Sequence, residues 1–164
     1  MQKPEYKIGL GYDIHRLVPN RKLVLGGINI KFNKGLKGHS DADVLVHAIC
    51  DAILGSIGKN DIGEHFPDTD LKYKNISSLI LLDKCLKILK KEKYKISNID
   101  CIVFAQKPKL TKYKKKIRKR LSLALKIDPY LVNIKAKTME KLGFIGKKKA
   151  IAAQCTLLVK YCKK

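Results

Sequence analysis

The sequence predicts an α/β fold of the sandwich kind (α+β), a mixed β-sheet with helices packed on one face. Three observations carry this. Several apolar runs have the length and alternation of strands, and three longer segments repeat apolar residues every three to four positions. The two kinds follow one another in the order β-β-α-α-β-α-β-β, with Gly-, Pro- and Asn-containing turns between them. No internal repeat or low-complexity linker interrupts them. At 164 residues and 45% hydrophobic content the chain can bury one core, so a single domain over 1–164 is expected.

Tyr6–Leu17 reads as a strand in which Gly9 and Gly11 allow close backbone approach. Asp13 and His15 lie two apart in it and therefore share a face. Lys22–Phe32 reads as a second strand with a bulge or kink at Gly26-Gly27, and Asn33–Gly38 as a turn. Ser40 is a good N-cap for a helix over Asp41–Ile57, with apolar Val44, Leu45, Ala48, Ala52 and Ile53, ended by Gly58. Asp43, His47 and Asp51 fall at i, i+4 and i+8 of that helix, on one polar stripe. Asn60–Asp70 reads as a loop. Ile76–Lys91 reads as an amphipathic helix with Leu79, Leu82, Leu86 and Leu89 on its apolar face. Ile99–Gln106 is an apolar strand leading into Lys107-Pro108-Lys109, and Thr111–Leu125 is a helix with a basic exposed face. Leu131–Lys137 and Ala150–Lys160 are strands joined by the loop Met139–Lys149.

Composition narrows the function. The amino-terminal MQKPEYKIGL has no apolar core of a signal peptide, and no apolar run nears the roughly 20 residues of a membrane span, so a cytoplasmic protein is expected. The five cysteines (Cys50, Cys85, Cys101, Cys155, Cys162) are odd in number, form no C-x-x-C pair and sit among apolar neighbours, which reads as reduced core thiols. The net charge of +22 invites a nucleic-acid reading. However, all but Arg16, Arg21, Arg118 and Arg120 of the 36 basic residues are lysines, spread from Lys3 to Lys164. Base readout favours the arginine fork, so the charge is set down to lysine bias, with a residual attraction for phosphorylated substrates.

Against that charge, Gly38–Asp70 concentrates three of the 4 histidines (His39, His47, His65) and seven of the 14 acids, which calls for a local reason. A strand presenting Asp13 and His15, with a helix presenting His47, supplies two nitrogens and a carboxylate, the donor set of a tetrahedral zinc with an open fourth position. His39-Ser40 begins that helix, where backbone N–H groups favour anions; it reads either as an ordinary cap or as a donor to a phosphate or hydroxyl. Asp61-Ile62-Gly63 and Phe66-Pro67-Asp68-Thr69-Asp70 read either as turn chemistry or as partners for polyol hydroxyls. Thr138-Met139-Glu140 follows a strand, and a glutamate beside phosphates suits magnesium; a solvated loop is the plain alternative.

Taken together, these motifs resemble the 2-C-methyl-D-erythritol 2,4-cyclodiphosphate synthase family. The resemblance runs through Gly11-Tyr12-Asp13-Ile14-His15, then Gly38-His39-Ser40-Asp41-Ala42-Asp43 with His47, then Asp61-Ile62-Gly63 and Phe66-Pro67-Asp68-Thr69-Asp70. It continues through Ala105-Gln106-Lys107-Pro108-Lys109 and Glu140-Lys141-Leu142-Gly143-Phe144, covering nearly the whole chain. It implies a homotrimer with active sites between subunits, zinc on Asp13, His15 and His47, and a second divalent ion, magnesium or manganese, on Glu140. It further implies that His39 and Thr138, flanked by Lys137 and Met139, act on the reacting phosphates. Ser40, Asp61–Gly63 and Phe66–Asp70 would surround the methylerythritol phosphate. Ala105, Gln106, Lys107, Pro108, Lys109, Leu110 and Thr111 would bind the cytidine from a neighbouring subunit. Phe144 and Lys147 complete the implied set. Lys147 stands where the family commonly has arginine and Lys148-Lys149 where Gly-Glu usually follows, so the resemblance carries no ligand over to the cavity along the trimer axis. The implied reaction is intramolecular attack of a 2-phosphate on a β-phosphorus with release of CMP. A zinc phosphohydrolase and a basic polyanion-binding protein are the competing readings.

Overall fold

The computed structural model describes residues 3–162; Met1, Gln2, Lys163 and Lys164, the ends of the expected 1–164 domain, lie outside the described residues. A strand of alternating character, β1 (Tyr6–Pro19), starts the fold. Three short strands follow: β2 (Leu23–Leu25), β3 (Ile28–Ile30) and β4 (Lys34–Leu36). Then come α1 (Val44–Ser56), the single turn α2 (Ile62–His65), α3 (Ser78–Lys91), β5 (Tyr94–Phe104), α4 (Lys114–Leu125), β6 (Val132–Lys137), the single turn α5 (Gly143–Gly146) and β7 (Ala150–Tyr161). The main sheet runs β4-β1-β7-β5-β6 and is mixed: β5 and β6 are parallel, while the other neighbours are antiparallel.

Several sequence expectations shift. Lys22–Phe32 is a hairpin of β2 and β3, not one bulged strand. Gly26 and Gly27 have φ of +60° and +71°, which only a turn needs and glycine adopts without strain. Asn33–Gly38 contains β4, paired to the end of β1, where a turn was expected. The first helix starts at Val44, three residues late, because Ala42 takes a φ of +56° and Asp43 becomes the N-cap in place of Ser40. Asp43 is accordingly a fully buried cap, ahead of the helix on which the polar stripe with His47 and Asp51 was expected. The next helix starts at Ser78, not Ile76, and buries Leu81 and Cys85 with Leu82 and Leu89, while Leu79 and Leu86 are only partly buried. Thr111–Tyr113 is a separate 3-10 turn ahead of α4. The strand expected from Ile99 begins at Tyr94, with an irregularity between Ile96 and Asn98. Four cysteines are buried as expected, and Cys162 is half-buried.

Helix α1 lies across β1 and β7 with almost no space beneath it. A Cβ on Gly9 would stand 1.9 Å from the Ala52 carbonyl oxygen, and one on Gly11 2.0 Å from the Ala48 carbonyl oxygen. Both oxygens belong to α1, so the helix backbone itself rests on the strand. Along β1 the residues facing α1 are Gly9, Gly11, Asp13, His15 and Leu17, and the alternate residues Ile8, Leu10, Tyr12 and Ile14 face away and are exposed.

The loop before α1 is tied down by Asp43. Its carboxylate accepts Gly26 N–H at 2.9 Å, Gly27 N–H at 2.6 Å and Val46 N–H at 3.2 Å. Burial pushes the Asp43 carboxyl up, and the hydrogen bonds from Gly27 and Gly26 oppose it. The three N–H donors reduce, without cancelling, the cost of burying that carboxyl. The hairpin and α1 thereby share one anchor. Gly11→Ala should move α1 off the strand; we expect a loss of at least about 1–3 kcal/mol by chemical denaturation.

Candidate metal centre and active site

The spacing of β1 brings Asp13 and His15 to the α1 face, and the fourth helical residue after the Asp43 cap is His47. Asp13 Oδ2 lies 2.8 Å from His15 Nε2 and 3.0 Å from His47 Nδ1, and these two nitrogens are 3.1 Å apart. Among the described residues these three form the one group whose donor atoms all fall within 4.8 Å of one another. The outer nitrogens decide what the inner ones are. His15 Nδ1 sits 2.8 Å from the Lys37 carbonyl oxygen, an acceptor, so Nδ1 donates and Nε2 carries the lone pair. His47 Nε2 meets Ser78 Oγ at 2.9 Å and Ser40 Oγ at 3.1 Å, leaving Nδ1 to face inward. Two lone pairs and a carboxylate then converge on one point, an arrangement that repels itself unless a cation or a proton sits there. The donor set therefore fits a divalent metal.

The electrostatics agree. Burial opposes ionisation of Asp13, yet the His15 and His47 rings beside it hold its carboxyl well below the usual range. Burial likewise opposes a charged His15, but the Asp13 carboxylate outweighs it and raises the ring's pKa above the ordinary 6.5. Asp51, one turn beyond His47, is pushed up by burial, against the bond it accepts from Ile62 N–H at 2.8 Å.

The triad opens into a cavity of about 510 Å³. Its wall includes His39 and Ser40, Ile62 and Gly63 of α2, and Phe66–Thr69. Phe66 packs edge-on against Tyr73, 5.5 Å between ring centres, closing the apolar side. His39 Nε2 donates to the Asp70 carbonyl oxygen at 3.1 Å, which fixes its ring in that wall.

The described residues 6–160 match the YgbB family. The 2-C-methyl-D-erythritol 2,4-cyclodiphosphate synthase of Clostridium botulinum (strain Okra / Type B1) is 54% identical over 153 residues, 93% of this chain and 99% of the relative. The CDP complex of Plasmodium falciparum IspF is 38% identical with a TM-score of 0.87, covering 99% of this chain and all of that one. The bifunctional IspDF of Campylobacter jejuni is 43% identical with a TM-score of 0.93, covering 97% of this chain and 43% of its own.

The chain belongs to the YgbB family.

In this YgbB-family chain the expected site residues divide into two groups. Asp13, His15, His39, Ser40, His47, Ile62, Gly63, Phe66, Pro67, Asp68 and Thr69 line the cavity. Asp61 and Asp70 do not: Asp61 caps α2 by accepting Glu64 N–H at 3.1 Å, and the Asp70 carboxylate accepts Lys72 N–H at 3.1 Å and pairs with its ammonium at 2.5 Å. In the single chain Asp61 Oδ1 and both Asp70 carboxylate oxygens are engaged in these turns. The second group gathers at the carboxyl ends of β5 and β6. Ala105 N–H donates to the Lys137 carbonyl at 2.9 Å, and Gln106 Oε1 accepts Met139 N–H at 3.2 Å. Thr138 donates its hydroxyl to Glu140 Oε1 at 2.6 Å. Lys107, Pro108, Lys109 and Thr111 line a separate cavity of about 430 Å³ with Phe32 and Tyr113, and Leu110 is buried beside it. Phe144 borders a further cavity with Lys148 and Lys149, and Lys147 is exposed next to it. None of this second group lines the triad's cavity.

Sequence reasoning missed three contributors. Asp51 stood on the stripe with His47, a usable signal. Asp41 and Ser78 were masked by their plainer roles as residues at helix starts. Among the described residues, no helix is long and apolar enough to cross a membrane.

Two outcomes are expected. His47→Ala should abolish stoichiometric metal in elemental analysis while the fold persists, since its half-buried side chain faces a cavity. Zinc affinity of the unaltered protein should fall as pH drops through the raised His15 pKa, from above 6.5, because the metal needs the neutral ring. In the metal-free protein the sign reverses: the His15–Asp13 pair stabilises fully below 6.5 and fades as pH rises through the raised value.

Proposed function

We propose that this chain converts 4-diphosphocytidyl-2-C-methyl-D-erythritol 2-phosphate to 2-C-methyl-D-erythritol 2,4-cyclodiphosphate and CMP, in non-mevalonate isoprenoid biosynthesis in the cytoplasm. The observation that carries this is the convergence of Asp13, His15 and His47 on one point of a cavity, in a chain 54% identical to synthases of that name. An oxygen of the 2-phosphate attacks the β-phosphorus; the new P–O–P bond forms as the bond to the CMP oxygen breaks, and CMP leaves as the anion. The nucleophile comes from the substrate, so no protein nucleophile is needed.

The protein's share is positioning. Folding a chain so that its two phosphates meet lowers the barrier by up to ~7–11 kcal/mol in favourable intramolecular cases. Ile62, Phe66 and Leu81 line the cavity and keep out water that would otherwise hydrolyse the anhydride. His39 and Ser40 stand beside the triad to orient the phosphate group, and Asp68 and Thr69 offer acceptors and a hydroxyl to the polyol. When bound, zinc on the triad would supply Lewis-acid neutralisation of phosphate charge. Thr138 and Glu140, already hydrogen-bonded to each other, would hold the second divalent ion, magnesium or manganese, and the adjoining phosphate.

The second group belongs to the same active site only if another copy supplies it. Ile8 is 71% and Leu10 60% exposed on the uncovered face of β1, beside Tyr12 and Ile14, a row of apolar side chains that a second sheet face would cover. A homotrimer closing on that face would bring Ala105–Thr111 of one subunit to the triad of the next, and the Plasmodium falciparum relative, a CDP complex, supports a cytidine nucleotide as ligand.

Two measurements test this. With the cytidyl substrate and zinc plus magnesium, the reaction should yield CMP and cyclic diphosphate in equal amounts; a linear hydrolysis product in excess would point to a phosphohydrolase instead. Leu10→Asp should leave a folded monomer by sedimentation and remove turnover while keeping the metal. Full turnover by a monomer would overturn the shared site.

A further inference from the structure

Asp41 and Ser78 lie outside the triad, yet a chain of hydrogen bonds runs from them to its helical ligand. His47 turns Nδ1 toward Asp13 Oδ2 and Nε2 toward Ser78 Oγ at 2.9 Å and Ser40 Oγ at 3.1 Å. The Ser78 hydroxyl has one proton, and the Asp41 carboxylate takes it through a short bond at Oδ1. Oδ1 accepts and the hydroxyl donates, so the direction of that bond is fixed. Asp41 is itself held, with Oδ2 accepting Ser78 N–H at 3.1 Å and Oδ1 accepting Asp43 N–H at 3.3 Å.

With its proton committed to Asp41, Ser78 Oγ has only lone pairs to offer His47. Nε2 must therefore donate. A neutral imidazole that keeps its proton on Nε2 keeps its lone pair on Nδ1, the atom facing Asp13 and His15. Ser40 fits the same direction of bonding: its Oγ accepts Ala42 N–H at 3.2 Å and lies 3.3 Å from Ser78 Oγ, where its own proton finds a lone pair. Ser78 is fully buried and Ser40 nearly so, which keeps competing water off the chain.

We propose that Ser78, anchored by Asp41, is a positioning residue that holds His47 as the Nε2–H tautomer and aims Nδ1 into the triad. This rests on the reading of the triad as a metal site. A purely structural role for Asp41 would be met by its bond to the Ser78 backbone N–H, which satisfies the first turn of α3 without any hydroxyl. The hydroxyl is surplus to capping and is explained by the imidazole. Ligating histidines commonly carry such a partner, and its loss typically weakens metal binding 10- to 100-fold.

Ser78→Ala separates the two roles, because it keeps the backbone bond to Asp41 and removes the link to His47. Zinc affinity would be measured by competition with a chromogenic chelator. Histidine tautomers would be read from long-range proton–nitrogen spectra of the metal-stripped, labelled full chain. The expected result is 10- to 100-fold weaker zinc binding and a His47 pattern that shifts from Nε2–H to a tautomer mixture. Unchanged affinity together with an unchanged Nε2–H pattern overturns the proposal. Should Ser78→Ala fail to fold, Asp41→Asn takes its place with the same two readouts: weaker zinc and a mixed pattern support the relay, and no change in either overturns it. His47→Ala serves as the control. If it retains zinc, the metal reading itself fails; if it loses zinc while Ser78→Ala binds normally, only the relay fails.

Discussion

The contact on which this fold depends is the one between the α1 backbone and β1 at Gly9 and Gly11. A helix normally stands off a sheet by the depth of two layers of side chains. Here the Ala48 and Ala52 carbonyls rest where strand side chains would be. Because the helix sits that low, a histidine on its underside can reach a carboxylate and a second imidazole on the strand within 3.1 Å. Any larger residue at either glycine lifts the helix and separates the donors, so packing and chemistry share one constraint.

A second constraint sets the rotation of that helix. Asp43 is fully buried, and its three backbone donors come from two places, the β2–β3 turn and the first turn of α1. His47 N–H bonds back to the Asp43 carbonyl at 3.0 Å, so the cap is one turn from the ligand. Moving the cap by a residue would rotate His47 by about 100° and take it off the strand face. The left-handed Ala42 and the paired glycines are needed to bring those donors together. They hold the helix in the register that brings His47 to Asp13 and His15.

The short-range signals that carry chemistry were legible. Asp13 and His15 two apart on a strand, and His47 amid an amphipathic run, follow from periodicity alone, and the described structure brings those three side chains together. The capping register was not legible, because Ser40, Asp41 and Asp43 are all good caps and only the distant Gly26-Gly27 turn selects among them. The same long-range dependence hid the Asp41–Ser78 link, whose residues are 37 apart in sequence. Lys34–Leu36 read as a turn because three residues carry too little pattern to disclose a strand that exists only by pairing with the end of β1. Asp61 and Asp70 carry two signals at once: the resemblance assigns them to substrate, and in the single chain Oδ1 of each accepts a backbone N–H of its own turn.

The separation of the site into two groups has a physical logic of its own. Asp13 and Glu140 are acids in a chain of net charge +22, and each stands in a different setting, one in the cavity wall and one in an exposed loop after β6. Gathering both acids in one cavity would crowd like charges without a matching surface to close over them. The first group lies on β1 beneath α1 and the second at the carboxyl ends of β5 and β6, with β7 between them. The exposed row Ile8, Leu10, Tyr12 and Ile14 lies on the same strand as Asp13 and His15, alternating with them. One strand therefore turns the triad residues toward α1 with every second position and an uncovered apolar row outward with the others, a surface suited to a second copy in the proposed homotrimer.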